Sequence, residues 1–127
     1  MVGLPDRTFK CGLFRTWRLS QNLASSLSAG GFTTLTPIQS QAIPLALNGN
    51  DILGLAQTGT GKTLAFGVPI IQAAFLRPGK PTPKTTKALI LAPTRELVNQ
   101  IASALAALTK QMKLRVTTVV GLSLIHI

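Results

Sequence analysis

An apolar run, Ile52-Leu-Gly-Leu-Ala56, leads straight into Gln57-Thr-Gly-Thr-Gly-Lys-Thr63, and a helix-compatible run from Lys62 to Leu76 follows. A short buried strand, a glycine loop and a helix in that order commit the chain to an α/β arrangement in which the loop faces an anion. Ala56 to Thr63 fits the phosphate-loop spacing, with Ala56 where the strict pattern has glycine. Gly59 and Gly61 allow backbone angles closed to other residues, so successive N–H groups of Thr58, Gly59, Thr60 and Gly61 can converge on one phosphate. The following helix adds unpaired N–H groups and the positive end of its dipole. Lys62 supplies a point charge for the outer phosphates, and the Thr63 hydroxyl is a natural Mg²⁺ ligand. The plain alternative is a Gly/Thr turn between two core elements.

Upstream, Gly31-Phe32-Thr-Thr-Leu-Thr36-Pro37-Ile38-Gln39 ends 23 residues before Lys62. Gly30-Gly31 ends one helix, Thr36 caps the next, and Pro37 sits at its first position, where a missing N–H costs nothing. Gln39 is the residue this leaves over. Its primary amide offers a donor beside an acceptor, as the edges of adenine require. A solvent-facing glutamine in a first helical turn is the alternative.

Phe14, Gly31-Phe32, Thr36-Pro37-Ile38-Gln39, Ala56 to Thr63, and Pro93-Thr-Arg-Glu-Leu97 with Gln100 together resemble the front half of a DEAD-box RNA helicase. Within that family the bacterial RhlE-like group is the most similar. Phe14 stands seventeen residues before Gly31, the spacing of the family's isolated aromatic. The resemblance covers residues 14–121, with the Q motif at 14–39, the phosphate loop at 56–63 and motif Ia at 93–97. Leu35 stands where the family usually has proline. The resemblance implies a RecA-like domain that binds ATP and Mg²⁺, with Lys62 and Thr63 catalytic. Phe14, Phe32 and Gln39 join Thr58 to Thr63 around the nucleotide. Pro93, Thr94 and Arg95 are implied to grip the backbone of single-stranded RNA independently of sequence, so that short duplexes are unwound.

Thirteen Lys/Arg against three acids give a net charge of +10, a balance suited to a polyanionic partner. No uninterrupted apolar stretch is long enough to span a membrane. Cys11 is the only cysteine, which excludes an internal disulfide and makes a reducing, cytoplasmic location the expectation. The shortage of acids is more informative. Asp6, Asp51 and Glu96 are the only carboxylates. None is placed to hold Mg²⁺ or to position an attacking water. The family's Asp-Glu-Ala-Asp box, its Ser-Ala-Thr motif and a second RecA-like domain are not found. The expectation is an N-terminal fragment, inactive alone, of an enzyme whose full-length form hydrolyses ATP. Another P-loop NTPase, such as a DNA helicase or transport ATPase, and a non-catalytic nucleotide- or RNA-binding fragment are the rival readings.

The pattern along the chain predicts helices over 19–29, 37–47, 62–76 and 94–109, and strands over 52–56, 88–92 and 114–120. Alternation of the two implies an α/β fold, an incomplete RecA-like domain with a parallel sheet flanked by helices and right-handed crossovers. Ligands then bind at the carboxyl ends of the strands, where the phosphate loop and Pro93-Thr94-Arg95 would share a rim. The segment 77–87 reads as a surface loop with four cations and no acid. Residues 1–13 read as a tail, and 122–127 as a truncated, non-native end in which His126 carries no role.

Overall fold

The computed structural model describes residues 17–77, 79 and 82–121. The tail, Phe14 and the 122–127 end lie outside them. Among the described residues, four helices make up the regular structure: α1 over Gln21–Ala29, α2 over Pro37–Leu47, α3 over Lys62–Leu76 and α4 over Arg95–Thr109.

Each helix begins where its sequence supplies a local partner for the first orphan N–H groups, with one exception. The side chains of Ser20, Thr36 and Thr94 accept from the backbone N–H of Leu23, Gln39 and Leu97. Helix α3 begins at Gly61, which has left-handed φ of 82° and no side chain to cap with. Gly30 and Gly31 end α1, Gly31 with φ of 78°. Pro44 and Pro69 lie inside α2 and α3, as the sequence requires.

One apolar cluster unites the helices. Leu23 and Leu27 of α1, Ile43 of α2, Leu64, Val68 and Ile71 of α3, and Ile101, Leu105 and Leu108 of α4 are buried in it together with Met112. α2 packs along α3, and α4 packs against both α1 and α3. Gly67 permits the α3–α4 approach: a Cβ there would stand 2.5 Å from Leu105 Cδ2. Trp17, which packs on the cluster, is followed by a second anchor. The buried Gln72 of α3 accepts from Ser20 N–H at 3.0 Å and donates to the Arg18 carbonyl at 3.1 Å. Both halves of its amide are used to fix the start of α1.

The three segments expected as strands differ from expectation. Residues 52–56, 88–92 and 114–120 carry neither helix nor strand, and no described residue lies in a strand. In 88–92 the exposure still alternates. Ile90 and Ala92 pack on the helical cluster, while Leu89 and Leu91 are exposed. That is the two-residue periodicity of a half-covered strand. A parallel ladder requires a partner brought across a long crossover, and the leucines on the outer side gain nothing until a second layer covers them.

Candidate nucleotide and RNA site

The phosphate loop takes the conformation its glycines allow. Gly59 and Gly61 both have φ of 82°, a region that costs a side-chain-bearing residue roughly 1–2 kcal/mol. Thr60 Oγ1 donates to the Gln57 carbonyl at 2.6 Å, which tightens the loop. Lys62 Nζ donates to the Ala56 carbonyl at 2.7 Å and bridges the loop from end to start. The ammonium is exposed, so it can exchange that carbonyl for a more strongly charged acceptor. Above it, the first bond of α3 runs from Ala65 N–H to the Gly61 carbonyl. The N–H groups of the preceding turn have no capping side chain. Of the four helices, only the one that follows the phosphate loop keeps its donors uncovered.

Gln39 does more in the structure than the sequence suggested. It is buried, at 4% exposure, and its amide has two protein partners. Its Oε1 accepts from Thr36 N–H at 3.0 Å, and Thr36 Oγ1 accepts in return from Gln39 N–H at 3.4 Å, a complete capping box. Its Nε2 donates to the Gly61 carbonyl at 3.1 Å. The Thr36–Gln39 motif and the phosphate loop are therefore one hydrogen-bonded unit. A Cβ on Gly61 would collide with the Gln39 amide and stand 3.1 Å from Thr36 Oγ1. Gly61 is thus required twice, for its φ and for this approach. The amide retains one N–H and one lone pair for a further partner.

Beside Gln39 lies a cavity of about 20 Å³ lined by Trp17, Phe32, Leu35, Ile43 and Leu64 among others. It has room for a water molecule and not for a purine ring. Phe32 is partly exposed and shares this wall with Gln39. Phe14 lies outside the described residues. Thr63 is half-buried in the first turn of α3, and Thr58 is exposed on the loop. Among the described residues no three His, Cys, Asp or Glu side chains cluster as a metal site would need. Thr63 is the one hydroxyl in the turn able to serve a cation held by phosphates.

Pro93, Thr94 and Arg95 are all exposed at the start of α4. The Thr94 hydroxyl accepts from Leu97 N–H at 3.2 Å, so its lone pair caps the helix while its O–H stays available. Glu96 Oε1 accepts from Gln100 Nε2 at 3.4 Å, which keeps that carboxylate occupied on the helix surface. Missed by sequence reasoning were the structural use of Gln72 and the Gln39–Gly61 bond. The first has no sequence signal, since its partners are more than fifty residues away. The second depends on α2 lying along α3, and the Thr36-x-x-Gln39 spacing signals only the capping box.

Comparison with known proteins accords with this arrangement. The DEAD/DEAH box helicase family model matches residues 36–125. The ATP-dependent rRNA helicase RRP3 of Candida albicans is 46% identical over 117 residues, which cover 92% of this chain and 21% of that protein. The chain thus spans about a fifth of the length of that relative. Among solved structures, the RNA helicase Prp28 from Chaetomium thermophilum bound to ADP superposes with a TM-score of 0.75 at 29% identity, covering 99% of this chain and 35% of that one. A DEAD box protein from Methanococcus jannaschii gives 0.74 at 33% identity, covering 89% and 30%. These neighbours establish the architecture as that of a RecA-like α/β domain. The helices described above are its framework.

Proposed function

The chain belongs to the DEAD/DEAH box helicase family, and from that membership we propose that it forms the nucleotide-holding part of an ATP-dependent RNA helicase. The observation that carries this reading is the joined unit of Gln39 and the phosphate loop, set beneath the one helix that begins without a cap. Family membership implies ATP, and the solved Prp28 relative was bound to ADP.

In this reading the N–H groups from Thr58 to Gly61 and the first turn of α3 surround the phosphates. Lys62 leaves the Ala56 carbonyl for the outer phosphates, a stronger acceptor for an ammonium group. Thr63 offers its hydroxyl to Mg²⁺, which when bound neutralises phosphate charge. Gln39 uses its remaining N–H and lone pair on adenine, with Phe32 and Phe14 as flanking apolar surface. Pro93, Thr94 and Arg95 hold the phosphates of a single RNA strand without reading its bases. Alone, the 127 residues bind nucleotide but do not turn it over. Asp51 and Glu96 are the only carboxylates described, and neither lies beside Thr63 in the chain. A cytoplasmic location is proposed from the single cysteine. A bacterial RhlE-like place within the family is likewise a proposal from the motifs alone; the curated relative above is fungal.

The test is nucleotide binding by the chain itself. Lys62→Ala is expected to weaken ATP binding at least tenfold, and Gln39→Ala to reduce the preference for ATP over GTP, since a site built around hydrogen bonds rejects a ligand that leaves them unpaired. Equal binding of ATP and GTP by the unmutated chain, or unchanged ATP binding in Lys62→Ala, removes the reading.

A further inference from the structure

The cations that the rim does not use are concentrated in two turns. Of the nine described Lys and Arg residues, Lys62 and Arg95 belong to the rim and the exposed Arg18 precedes α1. Arg77, Lys84 and Lys87 lie in the turn after α3, and Lys110, Lys113 and Arg115 lie in and just past the turn after α4. All six are exposed. In the RecA-like α/β architecture of the solved relatives, helices α3 and α4 both start at the rim and each is followed by a strand that returns to it, so their return turns fall on the opposite side of the domain. Lys87 Nζ fixes the first turn against α3, donating to the Ala74 carbonyl at 3.0 Å near the end of that helix. Leu114 fixes the second by packing on the common core.

Backbone conformation adds an independent sign. Lys84 has φ of 62° and Lys113 has φ of 53°; Arg18, the third described non-glycine residue at positive φ, has φ of 52° and presents its carbonyl to Gln72. This left-handed region favours glycine and asparagine over a long side chain. Each of the two turns therefore places a lysine where glycine or asparagine would sit with less strain. A conformation held against its local preference points to use of the side chain. Neither 82–87 nor 110–115 contains an aromatic residue on which a base could stack, and the apolar Met112 and Leu114 of the second turn pack on the core rather than facing outward with the cations.

We propose that this basic face, opposite the rim, binds the phosphate backbone of an RNA duplex. It rests on RNA being the partner of the rim, and it adds a second contact area with a different preference. Cations without stacking groups grip phosphates and ignore bases, which suits a paired helix whose bases are hidden.

The experiment measures anisotropy of a labelled sixteen-base-pair RNA duplex and of the corresponding single strand against the chain, over a salt series. The variant is Lys84→Asn with Lys113→Asn. Asparagine tolerates the left-handed conformation, so the melting temperature should hold or rise while charge is lost. Duplex affinity should fall roughly tenfold at 0.1 M salt, and the slope of log K against log salt should lessen by about 2, near 0.9 for each lost contact. Arg95→Ala should instead weaken the single strand more than the duplex. Unchanged duplex affinity and slope in the double variant overturns the proposal, whereas loss of single-strand binding in Arg95→Ala would still uphold the rim. Failure of the unmutated chain to bind either RNA overturns both. Retention of a poly-glutamate peptide or of phosphatidylserine vesicles that the double variant loses, with duplex binding unaltered, assigns the face to another partner and also overturns it.

Discussion

The helical layer and the apolar segments between the helices are built from similar residues and end in opposite surroundings. Leu23, Ile43, Val68 and Leu108 are at most 2% exposed, while Leu53, Leu55, Leu91 and Val119 are 85–90% exposed. The difference lies in where each finds its hydrogen bonds. A helix satisfies its backbone within its own span, and Ser20, Thr36 and Thr94 close three starts from three residues away. A parallel strand needs a neighbour that the chain delivers only after a crossover, and its outer face needs another layer. Helices can therefore gather a core around Leu23 and Val68 while residues 52–56, 88–92 and 114–120 present bare leucines and valines.

The sharpest way to break this contrast is to truncate on both sides of it. Leu23→Ala should cost about 3 kcal/mol, the usual price of an unfilled core site, and urea unfolding followed by circular dichroism would measure it. A loss below 1 kcal/mol would show that the helical layer is not the stable part. Next comes Gly61→Ala, which places a side chain at φ of 82° against the Gln39 amide. A cost of about 2 kcal/mol is expected from the left-handed penalty together with one lost hydrogen bond. It should be accompanied by loss of nucleotide binding, and a variant as stable and as active in binding as the parent would contradict the joined site. Thr36→Ala removes the cap of α2 and should cost about 1 kcal/mol. Smallest of all, Leu53→Ala and Leu91→Ala should change unfolding by less than about 0.5 kcal/mol, as exposed positions do. Replacing both by lysine should reduce self-association in sedimentation, because exposed apolar patches promote it. If either alanine variant costs as much as Leu23→Ala, those leucines are buried in solution and the contrast disappears.

The same division explains what could be read from the sequence. Helix α3 and helix α2 were legible to the residue, because the glycine loop before Lys62 and the Thr36-Pro37 start are local signals with local causes. The turn of the phosphate loop was legible for the same reason, since Gly59 and Gly61 both take the positive φ that their positions call for. The apolar runs 52–56 and 88–92 were correctly seen as apolar, yet their covering partners are not encoded next to them. Gln72 shows the limit in miniature. Nothing within α3 marks it as the holder of Arg18 and Ser20, since a glutamine's partners across fifty residues depend on the packing of the helices around it. Gln39 stands between these cases. Its capping role follows from spacing, whereas its bond to Gly61 follows from α2 lying along α3.

Trp17 gives this arrangement an optical consequence. The chain has one tryptophan and no tyrosine, so its near-ultraviolet emission arises from a single place. That indole packs on the helical cluster and borders the small cavity shared by Phe32, Gln39 and Leu64. Its emission maximum should move to longer wavelength as the helices come apart. Its intensity should respond when Gln39 gains a further partner, which makes one unlabelled fluorophore a gauge of both stability and occupancy.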